Sequence, residues 1–106
     1  MLYRQDLRTS EINMNTWTPN PNWKNLEMPS QGDIAQFKIT DGFSFLIKLI
    51  VTSVDLDNDQ ITGTVDAVYD WDTKELVTGS PIKKLVGTQQ TLDKTLLQNV
   101  VRNILP

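Results

Sequence analysis

Apolar and polar residues alternate through the middle of this chain with the period of a β-strand. Phe43, Phe45, Ile47, Leu49 and Val51 recur at every second position, with Ser44, Lys48 and Thr52 between them. Successive side chains of a strand point to opposite faces, so the pattern predicts a strand with one buried face. Leu46 and Ile50 interrupt the polar side, which predicts a partial cover there from the N-terminal arm or the C-terminal segment. Ile34 to Ile39 reads as a shorter preceding strand, ended by Asp41-Gly42, a tight-turn dipeptide. Asp55 to Gln60 reads as a hairpin turn, because Asp and Asn enter left-handed backbone more readily than most residues. The return strand sets Ile61, Gly63, Val65, Ala67 and Tyr69 on one face, and Thr62, Thr64, Asp66 and Asp70 on the other. Val68 is the single exception. Gly63 predicts a bulge or a close crossing. Thr78-Gly79-Ser80-Pro81 is a further turn, followed by a strand around Ile82 to Gln90.

The two ends read differently. Leu92, Leu96 and Val100 stand four apart, as do Leu97 and Val101, with Ile104 and Leu105 continuing the stripe. This spacing predicts a short amphipathic helix capped by Thr91 or Asp93. A final strand competes, because Thr95 and the Val100-Val101 pair are poor helix formers. Residues 1–31 hold Pro19, Pro21 and Pro29 and no glycine. Each proline removes a backbone donor and pushes its predecessor toward extended backbone. The segment reads as an extended arm, and burial of Trp17 and Trp23 favours docking over exposure. No internal repeat is visible. The expected fold is α+β but mainly β: a small curled antiparallel sheet or partly open barrel, SH3-like or OB-like, with one C-terminal helix. The expected division is an arm over 1–31 and a β-rich domain over 32–106.

Composition narrows the chemistry. The 106 residues include neither cysteine nor histidine, which removes disulfides, thiolate ligands and the residues most used for proton transfer near neutral pH. Ser44 and Lys48 lie roughly 13 Å apart by strand rise, beyond hydrogen-bond reach. No glycine-rich phosphate loop is present. Asp55-x-Asp57-x-Asp59 has the oxygen spacing of half an EF-hand loop, but Gln60 replaces its glycine and Asp66 its terminal Glu. No catalytic residue, cofactor or metal is therefore expected, and the chain is expected not to be an enzyme. No basic-then-apolar leader opens the sequence, and no apolar run approaches the ~20 residues of a membrane helix. The reading is a soluble, cytoplasmic protein.

Charge supplies the remaining signal. Between residues 55 and 75 lie Asp55, Asp57, Asp59, Asp66, Asp70, Asp72 and Glu75 against Lys74 alone. Beyond them, Lys83, Lys84, Lys94 and Arg102 face only Asp93. With a pI near 4.7, nucleic acid is a poor partner. A protein with a basic contact patch is the expected partner, steered by the acidic stretch. Tyr69-Asp70-Trp71-Asp72 reads as an inward aromatic pair, or as a surface anchor if the strand ends at Tyr69. Asp70 and Asp72 are too close in sequence to flank a glycosidic bond. The candidate contact residues are Asp66, Asp70, Trp71, Asp72, Glu75, Trp17 and Trp23. The expected function is a non-enzymatic protein-interaction domain; the alternatives are a small stoichiometric inhibitor of the immunity or anti-defence type, and a structural subunit of a larger assembly.

Overall fold

The computed structural model describes residues 17–79 and 81–103. Two reversals lay the middle of the chain out as a meander. Gly42, at φ +75°, turns β1 (Ile34–Asp41) back into β2 (Phe43–Asp55), and residues 56–59 turn β2 into β3 (Gln60–Asp70). β4 (Gln89–Asp93) returns along β3, while β5 (Leu97–Val101) crosses to the far side and pairs with β1. The result is one antiparallel sheet in the order β4-β3-β2-β1-β5. It does not close: among the described residues β4 and β5 do not pair. Residues 1–16, where the arm begins, and Ile104 and Leu105 lie outside the described residues.

Alternation selects one face of this sheet as the core. Ala35, Phe37 and Ile39 of β1 stand opposite Leu49, Ile47 and Phe45 of β2, and all six are buried. Val65, Val68, Leu92 and Leu97 join them from the other strands. Phe43 departs from the expected pattern and is 74% exposed. It follows the Gly42 reversal directly, beyond the last core residue of β1, so nothing remains there to cover it. Leu46 is buried on the opposite face, between its ladder partners Lys38 and Tyr69. The arm is not its cover: Trp17, Leu26 and Met28 all pack against the core.

Two bulges set the phase of the β2–β3 ribbon. Lys48 pairs with Ala67 and Leu49 with Val65, which leaves Asp66 unpaired in β3. That extra residue reverses the alternation, sending Val68 to the core and turning Ala67 and Tyr69 to the outer face. The expected inward placement of Ala67 and Tyr69 is thus corrected, and Val68 ceases to be an exception. The second bulge is at Thr52, since Val51 pairs with Gly63 and Ser53 with Thr62. Gly63 is the close crossing anticipated from the sequence. A Cβ there would stand 2.3 Å from the Ile50 carbonyl oxygen.

No α-helix occurs among the described residues, so the expected C-terminal helix is not seen. β4, a 3-10 turn over Lys94–Leu96 and β5 occupy that stretch. A spacing of four is a multiple of two as well as near the helical period, so the leucine spacing did not decide between them. The β-branched Val100 and Val101 and the unpaired edge of β1 did. The strand expected over Ile82 to Gln90 is likewise replaced in its first half by a 3-10 turn, Pro81–Leu85, which buries Ile82 and Leu85 three residues apart. Gly87, at φ +88°, then redirects the chain into β4.

The arm from Trp17 onward is stitched to the sheet. Trp17 bridges Ile39, and its ring meets Phe37 edge-on at 5.9 Å. Thr18 N–H donates to the Lys38 carbonyl, Asn20 N–H to the Thr95 carbonyl, and Asn20 Nδ2 to the Leu97 carbonyl. The far end is fixed by Asp33, which is buried. Its carboxylate accepts the Asn103 and Ser30 N–H groups at 3.0 and 2.9 Å and pairs with Arg102 at 2.8 Å. Arg102 also pairs with Glu27 at 2.8 Å. The two N–H donors, then the guanidinium, hold the Asp33 carboxyl at about 2 instead of the ordinary 3.8. Between those two values the unfolded chain binds the proton and the folded chain resists it, so stability rises with pH there. Stability conferred by Asp33 is expected to be complete above pH 3.8 and to drain away as pH falls toward about 2. Urea midpoints followed across that window should fall more steeply for the wild type than for Asp33→Asn. Parallel curves would show that Asp33 contributes no acid sensitivity.

Candidate functional site

Two loops of the same design close the two ends of β3. In the first, Asp55 accepts hydrogen bonds from the N–H groups of Asp57 and Asn58, and from Asn58 Nδ2. In the second, Asp70 accepts from the N–H groups of Asp72 and Thr73, both at 2.9 Å. Each loop ends in a left-handed residue, Asp59 at φ 53° and Lys74 at φ 64°. Both carboxyls are held below the ordinary carboxylate value, Asp55 chiefly by the Asn58 side chain and Asp70 chiefly by the Thr73 N–H. The sequence carries this likeness as Asp-x-Asp-Asn-x-Gln over 55–60 and Asp-x-Asp-Thr-x-Glu over 70–75. A reading based on hydrophobic periodicity passes over it, because loop chemistry lies in polar residues.

The first loop bears on calcium. Asp55 spends its carboxylate on turn amides, leaving Asp57 and Asp59 exposed at the tip. Millimolar calcium is therefore expected to leave the melting temperature unchanged. A rise of several degrees that disappears in Asp57→Ala would overturn this.

The second loop sets Trp71. Because the turn starts at Asp70, Trp71 is its second residue and not a strand residue, so strand parity does not send it inward. Its N–H donates to the Ser44 carbonyl, and its ring is half-buried on the surface. Two ammonium groups sit near that ring, Lys38 Nζ at 4.6 Å and Lys74 Nζ at 4.4 Å from its centroid. Lys74 Nζ also donates to the Trp71 carbonyl. Lys48 Nζ stands 4.6 Å from the Tyr69 ring, and Leu76, 57% exposed, bridges Tyr69 from the other side. Cations over aromatic faces contribute about 0.5–1 kcal/mol each at exposed sites, enough to fix side chains without burying them. An aromatic patch with ordered lysines results, rimmed by the exposed carboxylates of Asp72 and Glu75. Among the described residues no carboxylate lies within ion-pair distance of Lys38, Lys48 or Lys74.

The structure brings together some of the residues singled out from sequence and separates others. Asp70, Trp71, Asp72 and Glu75 share one loop, and Asp66 lies at the β3 bulge four residues earlier. Trp23 stands elsewhere, half-buried, with Lys94 Nζ 5.5 Å from its ring. Lys94 N–H donates to the Asp59 carbonyl, which puts Trp23 toward the end of β3 remote from Trp71. Trp17 is 7% exposed and belongs to the core. The acidic stretch is also divided, because β3 separates Asp55, Asp57 and Asp59 from Asp70, Asp72 and Glu75 by about 30 Å of strand. Lys38, Lys48 and Leu76 were missed by the sequence reading. Only the fold brings Lys38 to the Trp71 ring and Lys48 and Leu76 to Tyr69. Compared with protein-family models, curated proteins and solved structures, the chain matches none.

Proposed function

We propose that this chain is a non-enzymatic protein-interaction domain whose contact surface is the Trp71 end of the sheet. The observation that carries the reading is the half-buried Trp71, with the Lys38 and Lys74 ammonium groups near its ring and exposed Leu76 bridging Tyr69 two residues before it. Interface anchors are typically aromatic side chains fixed in place, with a polar rim around them. Asp66, Asp72 and Glu75 supply acidic rim groups, so a partner bringing basic residues to that rim fits the arrangement. Asp70 is better assigned to holding the loop, because its carboxylate is already occupied by two amides. The consecutive β1–β4 meander and the 3-10 turn before β5 favour an SH3-like over an OB-like architecture for this scaffold. A stoichiometric inhibitor would use the same surface against an enzyme.

Affinity capture from the source cell tests the reading, with wild type, Trp71→Ala and the pair Asp72→Lys/Glu75→Lys run side by side. A partner retained by wild type and lost by the variants, all three chains melting alike, is the expected result. An identical set of partners on all three would remove this surface from consideration.

A further inference from the structure

The open edge of the sheet offers a second surface. β4 pairs with β3 on one side only. Val65 N–H donates to the Thr88 carbonyl, its carbonyl accepts from Gly87 N–H, and the Asp59 carbonyl accepts from Lys94 N–H. Alternate residues of β3, counted from Asp59 to Val65, thus address β4, which makes Ile61–Leu92 and Gly63–Gln90 the hydrogen-bonded pairs. Gln89 and Thr91 of β4 then turn their N–H and carbonyl groups away from the sheet. Among the described residues nothing takes them up. Exposed edges are commonly blunted by lysine, proline or a bulge, and the β4 sequence Gln-Gln-Thr-Leu-Asp has none of these.

Two further features adjoin this edge. A groove of about 450 Å³ runs beside it where the sheet stays open over its core, with Trp17, Leu92 and Leu96 as its apolar lining and Gln60, Gln90, Thr91 and Asp93 as its polar lining. Lysines flank the strand at both ends, Lys83 and Lys84 in the turn before it and Lys94 directly after it, against Asp93 alone. We propose that β4 is a docking edge for an extended acidic segment of a partner protein, which adds to the sheet as a sixth strand. Its backbone pairs with Gln89 and Thr91, alternate apolar side chains enter the groove, and its carboxylates face the three lysines. The inference is independent of the Trp71 surface.

The probe is a synthetic peptide of about ten residues, the length of a long strand, alternating Glu with Val. Titrated into the full chain, it is expected to bind, and to weaken about tenfold in Lys83→Glu/Lys84→Glu and likewise at high salt. Thr91→Pro removes an outward donor and, of the contacts to β3, only the exposed hydroxyl bond to Thr62, leaving the backbone ladder in place. It is expected to abolish binding while the chain melts near the wild-type temperature. Should Thr91→Pro fail to fold, the same peptide N-methylated along one edge replaces that arm, and is expected not to bind wild type. No binding at millimolar peptide, or binding indifferent to charge reversal and to edge blockage, overturns the proposal. A peptide-free dimer that Thr91→Pro dissociates would assign the edge to a second copy of the chain, and overturns it equally.

Discussion

Gly63→Ala is expected to destabilise the chain by about 3 kcal/mol or more, the upper range for forcing an extra carbon into a filled core. The added Cβ would lie 2.3 Å from the Ile50 carbonyl oxygen and 2.8 Å from Leu49 Cγ. A side-chain clash can be relieved by a rotamer change, but this one is with the β2 backbone at a ladder position. Relief therefore means parting β2 from β3, the pair that carries Leu49, Val51, Ile61 and Val65 into the core. For a domain of this size the loss amounts to a melting temperature lower by about 10 °C or more. Gly79→Ala is the control, since no atom lies within 4 Å of its added Cβ. A Gly63→Ala protein that melts with the control would show that the ribbon spreads freely at this crossing.

The same ribbon shows which parts of the fold could be read in advance. β1 and β2 were legible because one face is buried and the other mostly polar, so period two is written into the residues. β3 was legible only as far as Val65. Past it the unpaired Asp66 shifts the alternation, and a polar residue at a bulge looks like any outward residue in a strand. The C-terminal stretch misled for a different reason. Its four-residue spacing joined Leu92, Leu96 and Val100, which the structure divides among β4, the 3-10 turn and β5. It also paired Leu97 with Val101, of which the first is buried and the second exposed. Trp71 was recognised as a candidate anchor, but its surroundings were not. Lys38 reaches its ring, and Lys48 and Leu76 reach Tyr69 two residues before it, from separate parts of the chain through the β1–β2 and β2–β3 registers and the Tyr69–Leu76 bridge. Charge counted along the sequence joined carboxylates that β3 holds far apart. Linear composition describes a surface only where the fold keeps neighbours together.

Trp17 decides whether the arm is an accessory or part of the folded unit, and its removal is the second large effect expected. The tryptophan is 7% exposed, bridges Ile39 through its backbone and lays its ring edge-on against Phe37. It also lines the groove beside Leu92 and Leu96, where the sheet fails to close over the core. An arm residue thus fills a gap that the strands leave open. Trp17→Ala is expected to cost about 3–5 kcal/mol, the range for deleting a buried aromatic and leaving its cavity behind. Trp23→Ala removes a half-buried ring from a surface turn and should cost about 1 kcal/mol or less. Urea midpoints of the two variants separate the cases directly. If residues 32–106 formed the stable unit with the arm laid loosely upon it, both substitutions would leave the midpoint where it is. A steep loss confined to Trp17→Ala places the N-terminal boundary of the domain at or before Trp17, and makes the arm the element that completes the core.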